Sequence, residues 1–265
     1  MEWQDLLINQ YWLEAENVTV IKNGFEVIKN LSLKIKHNER VLILGPNGSG
    51  KSSIIELINR NIYPLEKTNS NLKIFNKKFI NIWELRKKIS TVNNDIKLRV
   101  NPSIKVIDLI VSGLYGKYCK VNTQNIKDVE LAKEQICKLQ IDDISHKKFG
   151  NLSDGEKQIS LIARAFINEP EILILDEPTV NLDLRSKIFL INKIEELSKL
   201  GRNILCITHD IDMITSTYSR IILLKDRKIF ADGTPDNVMN SKNINILFDI
   251  NIKLIKQVNN WTISR

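Results

Sequence analysis

Val41-Leu42-Ile43-Leu44 runs directly into Gly45-Pro46-Asn47-Gly48-Ser49-Gly50-Lys51-Ser52, and Ser53-Ile54-Ile55-Glu56-Leu57-Ile58 follows. An apolar run, a glycine-rich turn and a helix-patterned stretch predict a strand, a loop and a helix in immediate succession. Glycines let the loop curl so that successive N–H groups face inward, and the helix adds the positive end of its dipole, so the concavity suits a polyphosphate. The G-x-x-x-x-G-K-[ST] spacing assigns Lys51 to the β- and γ-phosphates and the Ser52 hydroxyl to Mg²⁺, with Ser53 closing the binding stretch. A chance glycine-rich turn is the bland alternative, and the flanking strand and helix weigh against it.

Working outward, the 265-residue chain is long enough for one large α/β domain with a buried core, and its 43% hydrophobic and 26% charged residues are ordinary for a globular protein. Apolar runs stay well short of the roughly 18 residues a membrane helix needs. Met1-Glu2-Trp3-Gln4-Asp5 carries acids where a secretory signal carries Lys or Arg, so the expected location is cytosolic. Cys119, Cys137 and Cys206 have no metal-ligand spacing and are expected to be reduced, packed thiols without a function. The net charge of +8 lies in scattered Lys- and Asn-rich segments, which read as a solvated surface and not as a nucleic-acid footprint.

Before the loop, Trp3, Leu6, Leu7, Tyr11 and Trp12 have a loosely helical spacing, and two β-like pieces (17–21 and 27–35) flank the turn signal Asn23-Gly24. Residues 61–79 are expected to return to that antiparallel layer through Leu72-Lys73-Ile74-Phe75. A short helix over 82–89, the strand Ser90-Thr91-Val92 and a polar break at Asn93-Asn94-Asp95 come next. Ile104, Ile107, Asp108 and Val111 share a helical face spacing, 129–139 is a second helix, and 97–155 reads as a helical insertion. The apolar runs 172–175, 204–207 and 221–224, separated by helix-like 185–200 and 211–217, read as buried parallel strands. Pro235 is expected to start a helix, and 250–255 with 261–263 to close the chain as a small strand pair.

Asp176 and Glu177 stand at the carboxyl end of one of these runs, where open parallel sheets place ligands. Asp176 is placed to hold Mg²⁺, and Glu177, one residue further, to take a proton from an attacking water. Leu152-Ser153-Asp154-Gly155-Glu156-Lys157-Gln158 lies upstream of this pair, and Asn181-Leu182-Asp183 and Ile207-Thr208-His209-Asp210 lie beyond it. With the phosphate loop, this order resembles the nucleotide-binding subunits of ATP-binding cassette (ABC) ATPases over residues 14–240. Within the family, Trp83-Glu84-Leu85-Arg86 and the Leu-Ser-x-Gly-Glu signature resemble molybdate-type members, and the tail through Gly233-Thr234-Pro235 resembles siderophore and metal types.

The resemblance implies an α/β P-loop NTPase fold with a mostly parallel core sheet, an antiparallel β-subdomain and an inserted α-helical subdomain. On that plan the chain is a single domain: core over 14–96 and 156–240, insertion over 97–155, and a C-terminal extension over 241–265. It implies ATP and Mg²⁺ as ligands, Glu177 as general base, His209 as γ-phosphate switch and Lys51 as phosphate ligand. Ser153 and Gly155 would cap the γ-phosphate of a nucleotide held by a second copy of the chain, and Asp183 would belong to the loop crossing that interface. Asn94 aligns with the family's metal-contacting glutamine. That shorter residue is one departure, and three more stand out: Asp154 replaces a glycine, Glu156 a glutamine, and the aromatic that stacks on adenine is missing at Ile21 and Lys22, with Phe25 nearest.

The expected function is an ATPase subunit that dimerises around two ATP-Mg²⁺ and drives integral-membrane permease subunits, as an importer, from the inner face of the cell membrane. A stand-alone ABC ATPase and a degenerate, regulatory nucleotide-binding cassette are the rivals. A translation- or repair-type protein acting on nucleic acid fits less well, because the chain has one phosphate loop and no extended heptads. The carboxylates of Asp154 and Glu156 are expected to face away from the phosphate.

Overall fold

β1 (Tyr11–Lys22) and β2 (Phe25–Lys36) pair antiparallel across Asn23-Gly24, which have φ of 52° and 81°. Those left-handed values give the turn the twist a hairpin needs, and Asn and Gly reach them at least cost. Leu31, Leu33 and Ile35 are buried while Ser32 and Lys34 are exposed, so β2 alternates as its sequence alternates. The structure is a computed structural model and describes residues 10–122, 125–199, 201, 203–257 and 261–264.

β3 (Val41–Leu44) is wholly buried and hands over through the glycine-rich loop to α1 (Lys51–Ile58). β4 (Asn71–Ile74) and α2 (Ile82–Lys88) follow, then β5 (Ile89–Val92) and α3 (Asp95–Arg99). The helical stretch comprises α4 (Val106–Ser112), α5 (Ile126–Leu139) and α6 (Asp154–Phe166). After it come β6 (Ile172–Asp176), α7 (Leu184–Lys199), β7 (Asn203–Thr208), β8 (Arg220–Lys225) and β9 (Lys228–Gly233). The chain closes with α8 (Pro235–Val238), α9 (Ser241–Phe248), β10 (Lys253–Lys256) and β11 (Trp261–Ser264).

These elements form two compact units, one of the segments up to Arg86 and from Asn203 onward, the other of Lys87–Arg202. In the first, β3 lies between β7 and β8, parallel to both, and β9 returns antiparallel to β8. Val41, Leu42, Ile43 and Leu44 are each 0% exposed. Burying such side chains contributes about 1.5–3 kcal/mol each, which is why an apolar run with no polar face becomes a central strand. A second sheet in this unit has the order β2-β1-β4, and β10 pairs with β11. Trp261 anchors that last hairpin, its indole Nε1 donating to Met239 O at 3.3 Å.

In the second unit β5 and β6 pair in parallel, with Val92 opposite Leu175. The signature helix α6 packs on α4, α5 and β5.

Four expectations are corrected. Tyr11 and Trp12 open β1 and are not helical, because β1 is paired on both edges, Leu13 with Ile35 and with Ile74; Trp3, Leu6 and Leu7 lie outside the described residues. The helix-like 211–217 is a single 3-10 turn over Ile211–Met213, closed by Asp210, whose side chain accepts from Asp212 N. The buried residues of α4 are Val106, Leu109, Ile110, Val111 and Ser112; of the expected face Val111 is buried, as is Ile104 just before the helix, but Ile107 and Asp108 are only half-buried. Cys119 and Cys137 are exposed, and only Cys206 packs in the core. β9 was not foreseen, since its half-exposed alternation carries none of the apolar-run signal.

Candidate nucleotide site

Strand register sets up the phosphate-binding half. Leu44 stands opposite Thr208, so the loop leaving β3 and the segment leaving β7 emerge side by side, and Gly45 N donates to Thr208 O at 3.2 Å. A Cβ on Gly45 would lie 2.3 Å from Leu224 O and 2.7 Å from Ser49 Oγ, so only glycine lets the loop pass that close. Gly48 and Gly50 have φ of 80° and 100°, the left-handed values that reverse the chain into α1. No side chain caps α1 and its first turn holds no acid, which leaves the helix start to an anion.

Lys51 is buried and its ammonium folds back over the loop, donating to Gly45 O at 2.8 Å and Pro46 O at 2.9 Å. Ser52 is exposed, Ser53 half-buried, and Asn47 and Gly48 lie at the exposed tip. Ser49 is buried against Gly45. His209, the residue after β7, is exposed beside this loop, while Asp210 N turns back to Thr208 Oγ1 at 3.0 Å. At the hairpin tip, Lys22 pairs with Glu56 of α1 at 2.8 Å, and its partner across the turn, Phe25, is 70% exposed.

The second unit carries the acids. Asp176 ends β6 half-buried, and Glu177 turns the chain with φ of 49°. Glu177 O accepts from Val180 N at 3.3 Å and from Asn94 Nδ2 at 3.2 Å.

The signature segment starts α6 with a reciprocal cap: Ser153 Oγ accepts from Glu156 N at 3.2 Å, and the Glu156 carboxylate accepts from Ser153 N at 2.7 Å. Two helix-terminal donors are satisfied at once, as the S-x-x-E pattern provides. Lys147 reaches the other Glu156 oxygen at 3.3 Å. Partial burial pushes the Glu156 pKa up, but the bonds from Ser153 and Lys147 outweigh it and hold the carboxyl below its usual range.

Asp154 is more exposed and has Lys157 at 3.7 Å. It also acts on Lys97 of α3, whose amine is pushed down by burial and partly restored by the Asp154 charge. A Cβ on Gly155 would meet Ser186 Cβ at 2.7 Å, so α6 starts in close contact with the first turn of α7. Ser186 is in turn fixed by Asp183, which accepts from Ser186 N at 2.8 Å and from its hydroxyl at 3.1 Å. The Ser186 backbone bond, first, and its hydroxyl hold the Asp183 carboxyl below its usual range.

Within one unit, therefore, the loop 45–53 and His209 come together; within the other, Asn94 meets Glu177, and Gly155 and Asp183 meet at Ser186, with Ser153 capping the same helix start. Ser186, Lys97, Lys147 and Lys157 were missed as supporting residues. The Asp183-x-x-Ser186 helix-start pattern was readable for the first and the i,i+3 spacing from Asp154 for Lys157, while Lys97 and Lys147 carry no local signal.

A family model described as ABC transporter matches residues 28–180, more than half of the chain. The chain belongs to the ABC transporter ATP-binding family. An uncharacterized ABC transporter ATP-binding protein of Lactococcus lactis, YmeB, is 32% identical over 234 residues, 87% of this chain and 89% of that protein. The structure of cbiO1 from Clostridium perfringens, part of the ABC transporter complex cbiONQ, matches with a TM-score of 0.76 and 26% identity, covering 89% of this chain and 93% of that one. The ATP-binding cassette MJ0796, solved as a dimer in a post-hydrolysis state with ADP and Pi, matches with a TM-score of 0.69 and 28% identity over 84% of this chain and 98% of that one. The chain is accordingly a P-loop ABC ATPase, with ATP as its nucleotide. Among the described residues no helix is long and apolar enough to cross a membrane.

Proposed function

We propose that this ABC ATPase works as a dimer around two ATP-Mg²⁺ and drives permease subunits of an importer from the cytoplasmic face of the membrane. In it, residues 14–96 and 156–240 are the nucleotide-binding core, 97–155 the helical insertion and 241–265 an extension. The observation that carries an active, and not a degenerate, cassette is the intact cap on α6. The acids that depart from the family pattern do not face an approaching phosphate undefended: Glu156 is spent on Ser153 and Lys147, and Asp154 lies beside Lys157. The Ser153 hydroxyl proton and the Asp154 and Gly155 N–H groups, which the cap does not use, then serve the γ-phosphate of the nucleotide held by the second copy.

In the first unit, the N–H groups of the 45–50 loop and the Lys51 ammonium bind the phosphates, and His209 contacts the γ-phosphate. Phe25 offers the exposed ring for the adenine. The second unit supplies the Glu177 carboxylate, which takes the proton of the attacking water as its oxygen approaches phosphorus. Asp183 holds the loop that meets the second copy. The Ser52 hydroxyl of the first unit, and the Asp176 carboxylate and Asn94 amide oxygen of the second, are each a hard oxygen donor of the kind Mg²⁺ takes alongside phosphate oxygens and water, so each fits that ion chemically. When bound, Mg²⁺ would neutralise charge developing on the phosphates.

The test is ATP turnover by the purified chain. Steady Mg²⁺-dependent hydrolysis whose turnover per chain rises with protein concentration supports this reading, and ATP binding without turnover would make the chain a regulatory cassette.

A further inference from the structure

The Glu177 carbonyl is gripped from two sides. Val180 N donates to it and closes a turn, and Asn94 Nδ2 donates to it from the neighbouring strand end. Register explains the second bond. β5 and β6 run parallel with Val92 opposite Leu175, so two residues further along each strand Asn94 arrives beside Glu177. The pairing that builds the sheet thus delivers an amide to the peptide of the proposed base.

That peptide needs holding. Glu177 has φ of 49°, and a non-glycine residue in the left-handed region is strained and persists only where its surroundings enforce it. The backbone conformation of Glu177 also sets the direction in which its Cα–Cβ bond leaves the chain, so a donor that fixes the carbonyl fixes where the carboxylate is aimed. Asn94 is itself anchored: it immediately precedes α3, the Asn93 side chain accepts from Ile96 N at 3.3 Å, and α3 packs on the signature helix α6. A glutamine at this position would carry its amide one methylene further from a carbonyl that the register puts directly alongside.

We propose that Asn94 is a positioning residue for the hydrolytic carboxylate: its amide locks the Glu177 peptide in the left-handed conformation and so aims the side chain at the water. This rests on Glu177 being the general base. It goes beyond a metal contact, because one amide N–H is committed to Glu177 while the amide oxygen keeps its own acceptor capacity.

The experiment measures steady-state ATPase kinetics of the full chain carrying Asn94→Ala, Asn94→Asp, Asn94→Gln, Glu177→Gln, and Asn94→Ala with Glu177→Gln, at varied ATP and varied Mg²⁺. Asn94→Asp keeps the shape and loses the donor, so it carries the test if the alanine variant fails to fold. Asn94→Ala and Asn94→Asp should each lower kcat by about tenfold or more at saturating Mg²⁺, with the KM for ATP within about twofold of the parent; Asn94→Asp, which keeps an oxygen for the metal, should not raise the half-saturating Mg²⁺. Asn94→Gln should not match the parent. In the Glu177→Gln background, Asn94→Ala should change the residual rate by less than about twofold, because the group it positions is gone.

Parent-like turnover in the Asn94 variants overturns the proposal. So does a raised Mg²⁺ requirement with kcat recovered at high Mg²⁺, which would make Asn94 a metal ligand only, and so does an undiminished effect in the Glu177→Gln background. If Glu177→Gln alone turns over like the parent, the base assignment itself fails, and that result is distinct from any Asn94 outcome.

Discussion

Lys51 holds two loop carbonyls with its ammonium, Gly45 O and Pro46 O, and is the buried cation closest in chain to the glycines. Replacing it with alanine removes the charge that faces the phosphates and leaves two carbonyls there. Lys51→Ala should weaken ATP binding by about 100-fold or more, the scale of a lost charge-assisted contact in a desolvated site, and calorimetry reads it directly. Unchanged affinity would remove the loop from the binding site. The two acids of the signature make the opposite prediction. Because Glu156 already serves the cap and Asp154 lies beside Lys157, Asp154→Gly with Glu156→Gln should leave the ATPase rate within about threefold of the parent. A rise of about tenfold, 1.4 kcal/mol on the barrier, would show that the carboxylates repel the nucleotide. Residue identities were legible wherever chemistry demands a type at a spacing, as at Gly45 to Ser52. Lys157 was legible as the i,i+3 helix neighbour of Asp154, whereas Lys147 was not, since its proximity to Glu156 is made by folding across nine residues and leaves no helical spacing.

α6 and the elements that brace it show what packing adds. Gly155 is where the helix start touches Ser186, so Gly155→Ala forces about 1–3 kcal/mol of strain into the first turn of α7. Gly155→Ala should therefore melt at a lower temperature than the parent, and adding Ser186→Gly should restore much of the loss; no rescue would mean the strain falls elsewhere. The cap also predicts an acid dependence. Glu156 has a depressed pKa, so the cap bonds are fully present above the unfolded-state value of about 4.3 and are lost as pH falls through the lower folded value. Thermal melts from pH 6 down to about pH 3 should show stability falling in the parent, and less steeply in Glu156→Gln, which cannot titrate. Equal slopes would locate the acid sensitivity in other carboxylates. Continuous apolar runs announced β3, β6, β7 and β8 because strands buried on both faces need no polar residues. β9 and the strand start at Tyr11 escaped because pairing partners, and not local periodicity, decide them.

Across the whole chain the proposed chemistry is divided. One unit holds the phosphate loop, Lys51, Ser52 and His209; the other holds Asn94, Asp176, Glu177 and the signature helix. The family membership was legible because its motifs are local and strictly spaced. The permease, the substrate and the direction of transport left no comparable mark, since the residues that meet a partner answer to the partner's surface. The central claim is that this chain closes as a dimer on ATP and that Glu177 hydrolyses what is enclosed. It is tested most directly by gel filtration and turnover of Glu177→Gln with ATP and Mg²⁺. Removing the proton acceptor while keeping its shape should cut hydrolysis by about 10²-fold or more and leave ATP bound in a dimer that separates from monomer on the column. A monomer at saturating ATP, or turnover at the parent rate, would contradict the account.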